Sequence, residues 1–240
     1  MNTNWQNRTE LLIGKESVLK LNQTHIFIAG LGGVGSWAAE HLIRAGIGEI
    51  TIVDADIITE SNLNRQLLAL HSTVGMNKVD VMKRRLTDIN PNLIVHAQKE
   101  FLSETNREKL LSGTYDYVLD CIDTLTPKIN IITFCLEKEL PLISSLGSGA
   151  KMDPLAVKIS DISKSHNCML GRMLRKRLHK LGIYKGFKVV FSDELPNKEA
   201  VILEKGLNKK SNAGTISYLP AIFGSMMAGE VIQNILKRKF

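Results

Sequence analysis

The sequence predicts an α/β protein built on a Rossmann-like, mostly parallel sheet flanked by helices, with a C-terminal α+β extension. Three observations carry that reading. Apolar runs of strand length alternate with longer helical patterns from residue 25 to about residue 145, the form that repeated βαβ units take. A glycine-rich turn, Gly30-Leu31-Gly32-Gly33-Val34-Gly35, follows directly on the first of those runs and opens a helical pattern. Past Gly149 the alternation gives way to a different rhythm, so residues 1–150 read as the sheet-forming core and residues 151–240 as an extension sharing that core.

In chain order, His25 to Ala29 is apolar throughout, as a strand buried on both faces should be. Strands are predicted at 49–54 and 116–120 for the same reason, with Ile50, Ile52 and Val53 before Asp54, and Tyr117, Val118 and Leu119 before Asp120. Two more are predicted at 93–97 and 141–144. Pro91 ends the helix before the third strand, and Pro127 opens another within its first turn. In the extension, strands at 155–160 and 187–192 flank a basic helix over about 168–181. A polar loop with Pro196 and Asn212-Ala213-Gly214 then leads to a C-terminal helix after Pro220.

A chain of 240 residues that is 44% hydrophobic and 23% charged is an ordinary globular protein, which excludes the disordered and fibrous classes. Met1 to Lys20 lacks an apolar segment ending in a small-residue cleavage site, so no secretory leader is expected. The longest apolar stretch, Tyr218 to Leu236, is interrupted by Glu230, Gln233 and Asn234 and suits a packed helix better than a membrane span. A cytoplasmic protein without membrane association is expected. Cys121, Cys135 and Cys168 are too scattered for a disulfide framework and form no C-x-x-C pair for zinc. The formal charge is +7, yet eight cations and no acid lie between Lys164 and Lys188, so everything outside that stretch sums to −1. The basicity is one patch.

Gly30, Gly32 and Gly35 satisfy G-x-G-x-x-G between a strand and a helix. The first permits the tight turn, the second lets backbone approach a phosphate, and the third admits close helix packing. Asp54, 24 residues after Gly30 at the end of the second strand, is placed to accept hydrogen bonds from ribose hydroxyls. NAD, FAD and ATP all carry that ribose. A dinucleotide is largely served by the helix N-terminus, whereas a metal-bound triphosphate also needs cations and a carboxylate near the reacting phosphorus. Arg65, Lys78 and Asp123 would supply them. Taken singly, Arg65 and Lys78 also read as solvated loop charges, and Asp123 as a helix cap ahead of Pro127.

Together, "GLGGVG", "VDAD", "NLNRQ", "GMNK" and "DCID" resemble the ubiquitin-activating and related adenylating enzymes, a family that includes the activators of molybdopterin and thiamine sulfur carriers. The resemblance implies ATP and magnesium as cofactors, and a carboxylate that attacks the α-phosphate to form a mixed anhydride. It places Gly30, Gly32, Gly33 and Gly35 around the phosphates and Asp54, with Asp56 beside it, at the ribose. Asn64, Arg65, Gln66 and Lys78 would grip the phosphates, with Arg65 and Lys78 stabilising charge during reaction, and Asp123 would position magnesium as the metal ligand. Arg8 matches an arginine that members of this family lend across a homodimer interface.

Longer stretches, among them "RTELLIG", "TVGMNKVDVMKRRLTDINP", "SLGSGAKMDP" and "GTISYLPAIFG", are similar to the tRNA threonylcarbamoyladenosine dehydratases over nearly the full length. That resemblance implies ATP-dependent cyclisation of the threonylcarbamoyl group on a tRNA adenosine, with the carbamoyl group of the same modification as nucleophile. An internal nucleophile needs no enzyme thiol, which fits Cys168 read as structural. The basic helix supplies the polyanion surface: Leu174, Leu178 and Leu181 form an apolar stripe, leaving Arg172, Arg175, Lys176, Arg177 and Lys180 for RNA. A sulfur-transfer protein is a possible second partner. One departure is Leu68, where many relatives have histidine. The rival readings are an adenylating enzyme for a ubiquitin-like sulfur carrier, an idle nucleotide-sensing RNA adaptor, and a nicotinamide dehydrogenase, for which no hydride-transfer site is visible.

Overall fold

The computed structural model describes residues 5–203 and 211–237. Two short helices, α1 (Asn7–Ile13) and α2 (Lys15–Asn22), precede the first strand, β1 (His25–Ala29), and the helix that follows the glycine turn, α3 (Gly35–Ala45). Then come β2 (Glu49–Val53), α4 (Lys78–Ile89), β3 (Ile94–Gln98), α5 (Arg107–Leu111), β4 (Tyr117–Asp120), α6 (Leu125–Glu137) and β5 (Leu142–Ser145). The extension contributes β6 (Val157–Asp161), α7 (Met169–His179), β7 (Lys188–Ser192), a small hairpin of β8 (Val201–Leu203) and β9 (Ser211–Ala213), and α8 (Tyr218–Leu236).

Seven strands form one sheet in the order β3-β2-β1-β4-β5-β7-β6, parallel except for β6, which runs against β7. β1 lies inside the sheet, between β2 and β4. Its side chains alternate between two buried layers, Ile26 and Ile28 facing α3, α4 and α8, Phe27 and Ala29 facing the α6 and α7 side. Burial on both faces explains why β1 reads as an unbroken apolar run. α8 lies along α3 and buries Leu219, Phe223, Met227, Ala228 and Val231. It is long and apolar enough to cross a membrane by composition, but this packed face places it in the core.

Strand and helix bounds depart from expectation at their ends. Asp54 lies just past β2, and Pro154 to Ala156 form a 3-10 turn ahead of β6 instead of its first residues. α8 begins at Tyr218, two residues before Pro220, which occupies the first turn where its missing N–H costs nothing. The basic helix ends at His179, and Leu181 is 58% exposed beyond it, so the apolar stripe is Leu174 and Leu178 alone.

Two features fix the elements that carry the site. Glu40 of α3, buried, accepts hydrogen bonds from Arg44 and from Arg85 of α4, Nε of Arg85 standing 2.8 Å from Oε2, and so ties α4 to α3. Lys128 of α6 is fully buried, its Nζ 2.7 Å from Asp120 Oδ2, 3.0 Å from Ser144 Oγ and 2.8 Å from the Ser145 carbonyl. This ion pair locks the carboxyl ends of β4 and β5 together. Desolvating two charges is costly, and the added hydroxyl and carbonyl satisfy what the pair alone would not.

Candidate nucleotide site

At the carboxyl edge of a parallel sheet, ligands collect where strand order reverses. Here that point lies between β1 and β4, whose connections leave in opposite directions. Gly30 follows β1 with φ +90°, and a Cβ there would meet the Cys121 carbonyl oxygen at 2.9 Å, so glycine allows both the turn and the approach of the two strand ends. A Cβ on Gly35 would lie 1.8 Å from the Gly30 carbonyl oxygen. The first turn of α3 is thereby pressed onto the end of β1, with its N–H groups aimed into the loop. Replacing Gly35 with alanine is expected to cost about 3 kcal/mol of stability through forced displacement. Urea denaturation would measure it, and an unchanged midpoint would refute the close packing.

Asp54, just past β2, is held from both sides: the Leu31 N–H donates to Oδ2 at 2.6 Å and the Asp56 N–H to Oδ1 at 2.8 Å. Burial pushes its carboxyl up, while the Lys78 ammonium and the two amides pull the other way. Lys78 opens α4 with only 4% of its surface exposed, and its Nζ donates to Asp56 Oδ2 at 2.8 Å, a carboxylate that is 70% exposed. A desolvated cation therefore points to a solvated acid at the rim of the turn.

Arg65 is half-buried and reaches the same place. Its Cγ lies 3.5 Å from the position a Gly33 side chain would take, and its Nη1 donates to the Ser61 carbonyl and to Asn64 Oδ1. Asn64 in turn donates from Nδ2 to the Thr215 carbonyl at 3.0 Å, tying this loop to the segment before α8. Gln66 is buried beside Gly32, and its Oε1 is an acceptor without a protein partner. Asp123 is exposed three residues past β4, on the loop whose Cys121 touches Gly30. That loop is positioned by Asp120, whose Oδ1 accepts the Ile122 N–H at 3.2 Å while its Oδ2 takes Lys128.

The structure thus brings Gly30, Gly32, Gly33, Gly35, Asp54, Asp56, Asn64, Arg65, Gln66, Lys78 and Asp123 to one edge of the sheet. Arg8 is not among them within one chain. It is exposed on α1, close to Gln6, which packs on Gly46 at the far end of α3. Leu68 is buried in the core. The Asp120–Lys128 pair escaped the sequence reading, although a lysine amid the apolar residues of "PKINIITFC" was a visible signal.

Arg172, Lys176 and Arg177 on α7 and Lys180 just past it are exposed, but Arg175 is half-buried with Nη1 donating to Ser165 Oγ, so it is turned inward from the other four. Cys168 is the N-cap of α7, its sulfur accepting the N–H groups of Gly171 and Gly147 at 3.3 Å. Burial pushes the Cys121 and Cys135 thiols up, the latter to about 12, which keeps both protonated.

The model of the ThiF family matches residues 6–239. The tRNA threonylcarbamoyladenosine dehydratase of Bacillus subtilis is 43% identical over 96% of this chain and 94% of its own length. Structures of the Escherichia coli tRNA N6-threonylcarbamoyladenosine dehydratase in complex with AMP and with ATP share 32% identity with it, at TM-scores of 0.88 and 0.89 over 97% of this chain and 95% of theirs. An adenylyltransferase and sulfurtransferase of Drosophila yakuba matches 58% of the chain and 30% of its own length, at 36% identity.

Proposed function

The chain belongs to the ThiF family, and from that premise we propose that it is an enzyme that spends ATP to activate the threonyl carboxylate of N6-threonylcarbamoyladenosine in tRNA and close it into a ring, an overall dehydration. The extent of the likeness carries this reading. The dehydratases match nearly the whole chain, basic helix included, whereas the sulfur-carrier type of adenylyltransferase matches little more than half of it.

Asp54 takes the ribose hydroxyls of ATP, and the amides of Gly32, Gly33 and the first turn of α3 take its phosphates. Asp56, Asn64 and Gln66 line the same edge, Gln66 with its unpartnered carbonyl turned to whatever donor arrives there. As the threonyl carboxylate oxygen attacks the α-phosphorus and pyrophosphate leaves, Lys78 and Arg65 stabilise the charge that builds on the phosphate oxygens. Magnesium binds through one or two carboxylates together with phosphate oxygens, and the exposed Asp123 on this edge fits that pattern. When bound, the ion would neutralise the departing pyrophosphate. The carbamoyl group of the same modification then attacks the anhydride and AMP leaves, a step that asks nothing of the protonated Cys121 and Cys135.

Residues 1–150 form the ATP-binding part in this reading and residues 151–240 the extension that carries the tRNA surface. A homodimer in the cytoplasm completes the site. Leu11 and Leu12 stand 86% and 80% exposed on α1 beside Arg8, and Leu70 and Met76 are exposed in the segment after β2. Those apolar surfaces suit a second protomer that lends Arg8 to its neighbour's phosphates.

Nucleosides from tRNA carrying the modification, digested after incubation with the protein, ATP and magnesium, should show by mass spectrometry the loss of one water. Pyrophosphate exchange that depends on a Gly-Gly-tailed carrier protein instead of modified tRNA would sink the proposal. Changing Arg172, Lys176, Arg177 and Lys180 together to alanine is expected to weaken tRNA binding about a hundredfold at low salt and to flatten the salt dependence of log K by roughly three units. ATP affinity should not change, and a quadruple variant with an unaltered salt slope would show that the RNA lies elsewhere.

A further inference from the structure

We propose that the amino-terminal edge of the sheet binds a divalent transition-metal cation of the zinc type on His25, Glu49 and His96. Parallel strands begin at a common edge, and this brings the three together. His25 opens β1, Glu49 opens β2 in register with it, and His96 lies two places along β3 from Ile94, the partner of Glu49. The glycine turn is at the opposite edge, so the site is separate from that of ATP.

Nε2 of His96 stands 2.8 Å and Nδ1 of His25 3.4 Å from the same oxygen, Oε1 of Glu49, and the three donor atoms lie within 4.8 Å of one another. Ligands on a tetrahedral zinc, each at about 2.0–2.1 Å from the metal, stand about 3.4 Å apart. The 3.4 Å between His25 Nδ1 and Glu49 Oε1 already matches that spacing, and the His96 ring, on the exposed side, has room to turn. Two imidazoles and a carboxylate form the donor set of an open zinc site, with the fourth position left to water.

The surroundings orient these ligands as an outer shell does. His25 Nε2 lies 2.9 Å from Thr51 Oγ1, which leaves Nδ1 facing Glu49, and the ring packs edge-on against Tyr115 with centroids 4.7 Å apart. Glu49 and His96 are 34% and 47% exposed and give the ion its way in. A cation here would clip the edge strand β3 to β2 and β1.

Calorimetric titration of the EDTA-treated full-length protein with zinc chloride should show one site per chain. Saturating zinc should raise Tm by about 5 °C, reversibly with EDTA. Cobalt in place of zinc should give the intense visible bands of a four-coordinate site. His96→Ala and Glu49→Gln, both on the exposed side, should keep the metal-free Tm and weaken zinc binding at least about tenfold. No binding to the parent protein, or binding of unchanged affinity and stoichiometry in both variants, would overturn the proposal.

Discussion

Replacing Lys78 with methionine is expected to lower kcat for pyrophosphate release by two to three orders of magnitude, about what removal of one preorganised donor to a developing negative charge costs. Methionine preserves the stem that packs at the start of α4, where only 4% of Lys78 is exposed, so the fold should survive. Asp56 loses its partner but remains 70% exposed and solvated, which limits the stability change to about 1 kcal/mol. The affinity for ATP should fall less than kcat, because the amides at the glycine turn and Asp54 still hold the nucleotide. Single-turnover release of pyrophosphate, compared with ATP binding measured by calorimetry, separates the two effects. Parent-like turnover in this variant would remove Lys78 from the machinery and leave it as the buried partner of Asp56.

Lys128→Met should have the other large effect, and on stability first. It strands Asp120, fully buried, with Ser144 Oγ and the Ile122 N–H as its remaining partners. Removing one member of a buried pair costs about 3–5 kcal/mol, whereas replacing both with apolar residues of similar size costs far less. Lys128→Met combined with Asp120→Leu should therefore recover most of the stability in urea melts. Activity should not follow. Asp120 Oδ1 sets the Ile122 N–H and with it the loop that carries Asp123, so the double variant should need more magnesium for half-maximal rate even after its stability has returned. A double variant that recovers stability and magnesium dependence alike would reduce the pair to a packing device.

Where the sequence carried a strong physical signal, it was read directly. β1 and β4 are buried on both faces and show as unbroken apolar runs, and the glycine turn is legible because a side chain at Gly35 would strike the Gly30 carbonyl. Spacing to that turn and the family likeness point to Asp54, Arg65 and Lys78, which the structure brings to the same edge of the sheet. The helices α1, α2 and α5 were missed, being short and in part exposed, so no clean period marks them. The hairpin of β8 and β9 was missed as well, since strands of three residues cannot show alternation. The spacing i, i+4, i+7 places Leu181 on the buried stripe because it has no knowledge of where a helix stops, and α7 ends at His179, two residues before the third leucine, which is exposed. Arg175 was read as one of five equivalent cations. Its bond to Ser165, ten residues earlier, is tertiary and invisible to helical periodicity. The meeting of His25, Glu49 and His96 depends on strand order, which no local spacing reveals.

The strand order β5-β7-β6 has a consequence for the newly made chain. β6 is synthesised before β7 yet lies outside it, so the edge of β5 stays unpaired until Lys188 to Ser192 have emerged. At roughly 5–20 residues per second, the forty or so residues between β5 and β7 take several seconds to appear. Throughout that interval Leu142 to Ser145, a strand buried in the finished protein, offers open backbone groups to any neighbouring chain. The face of α3 that receives α8 waits longer still. Slow synthesis or crowded polysomes should therefore trap this protein as aggregates at that half-built edge.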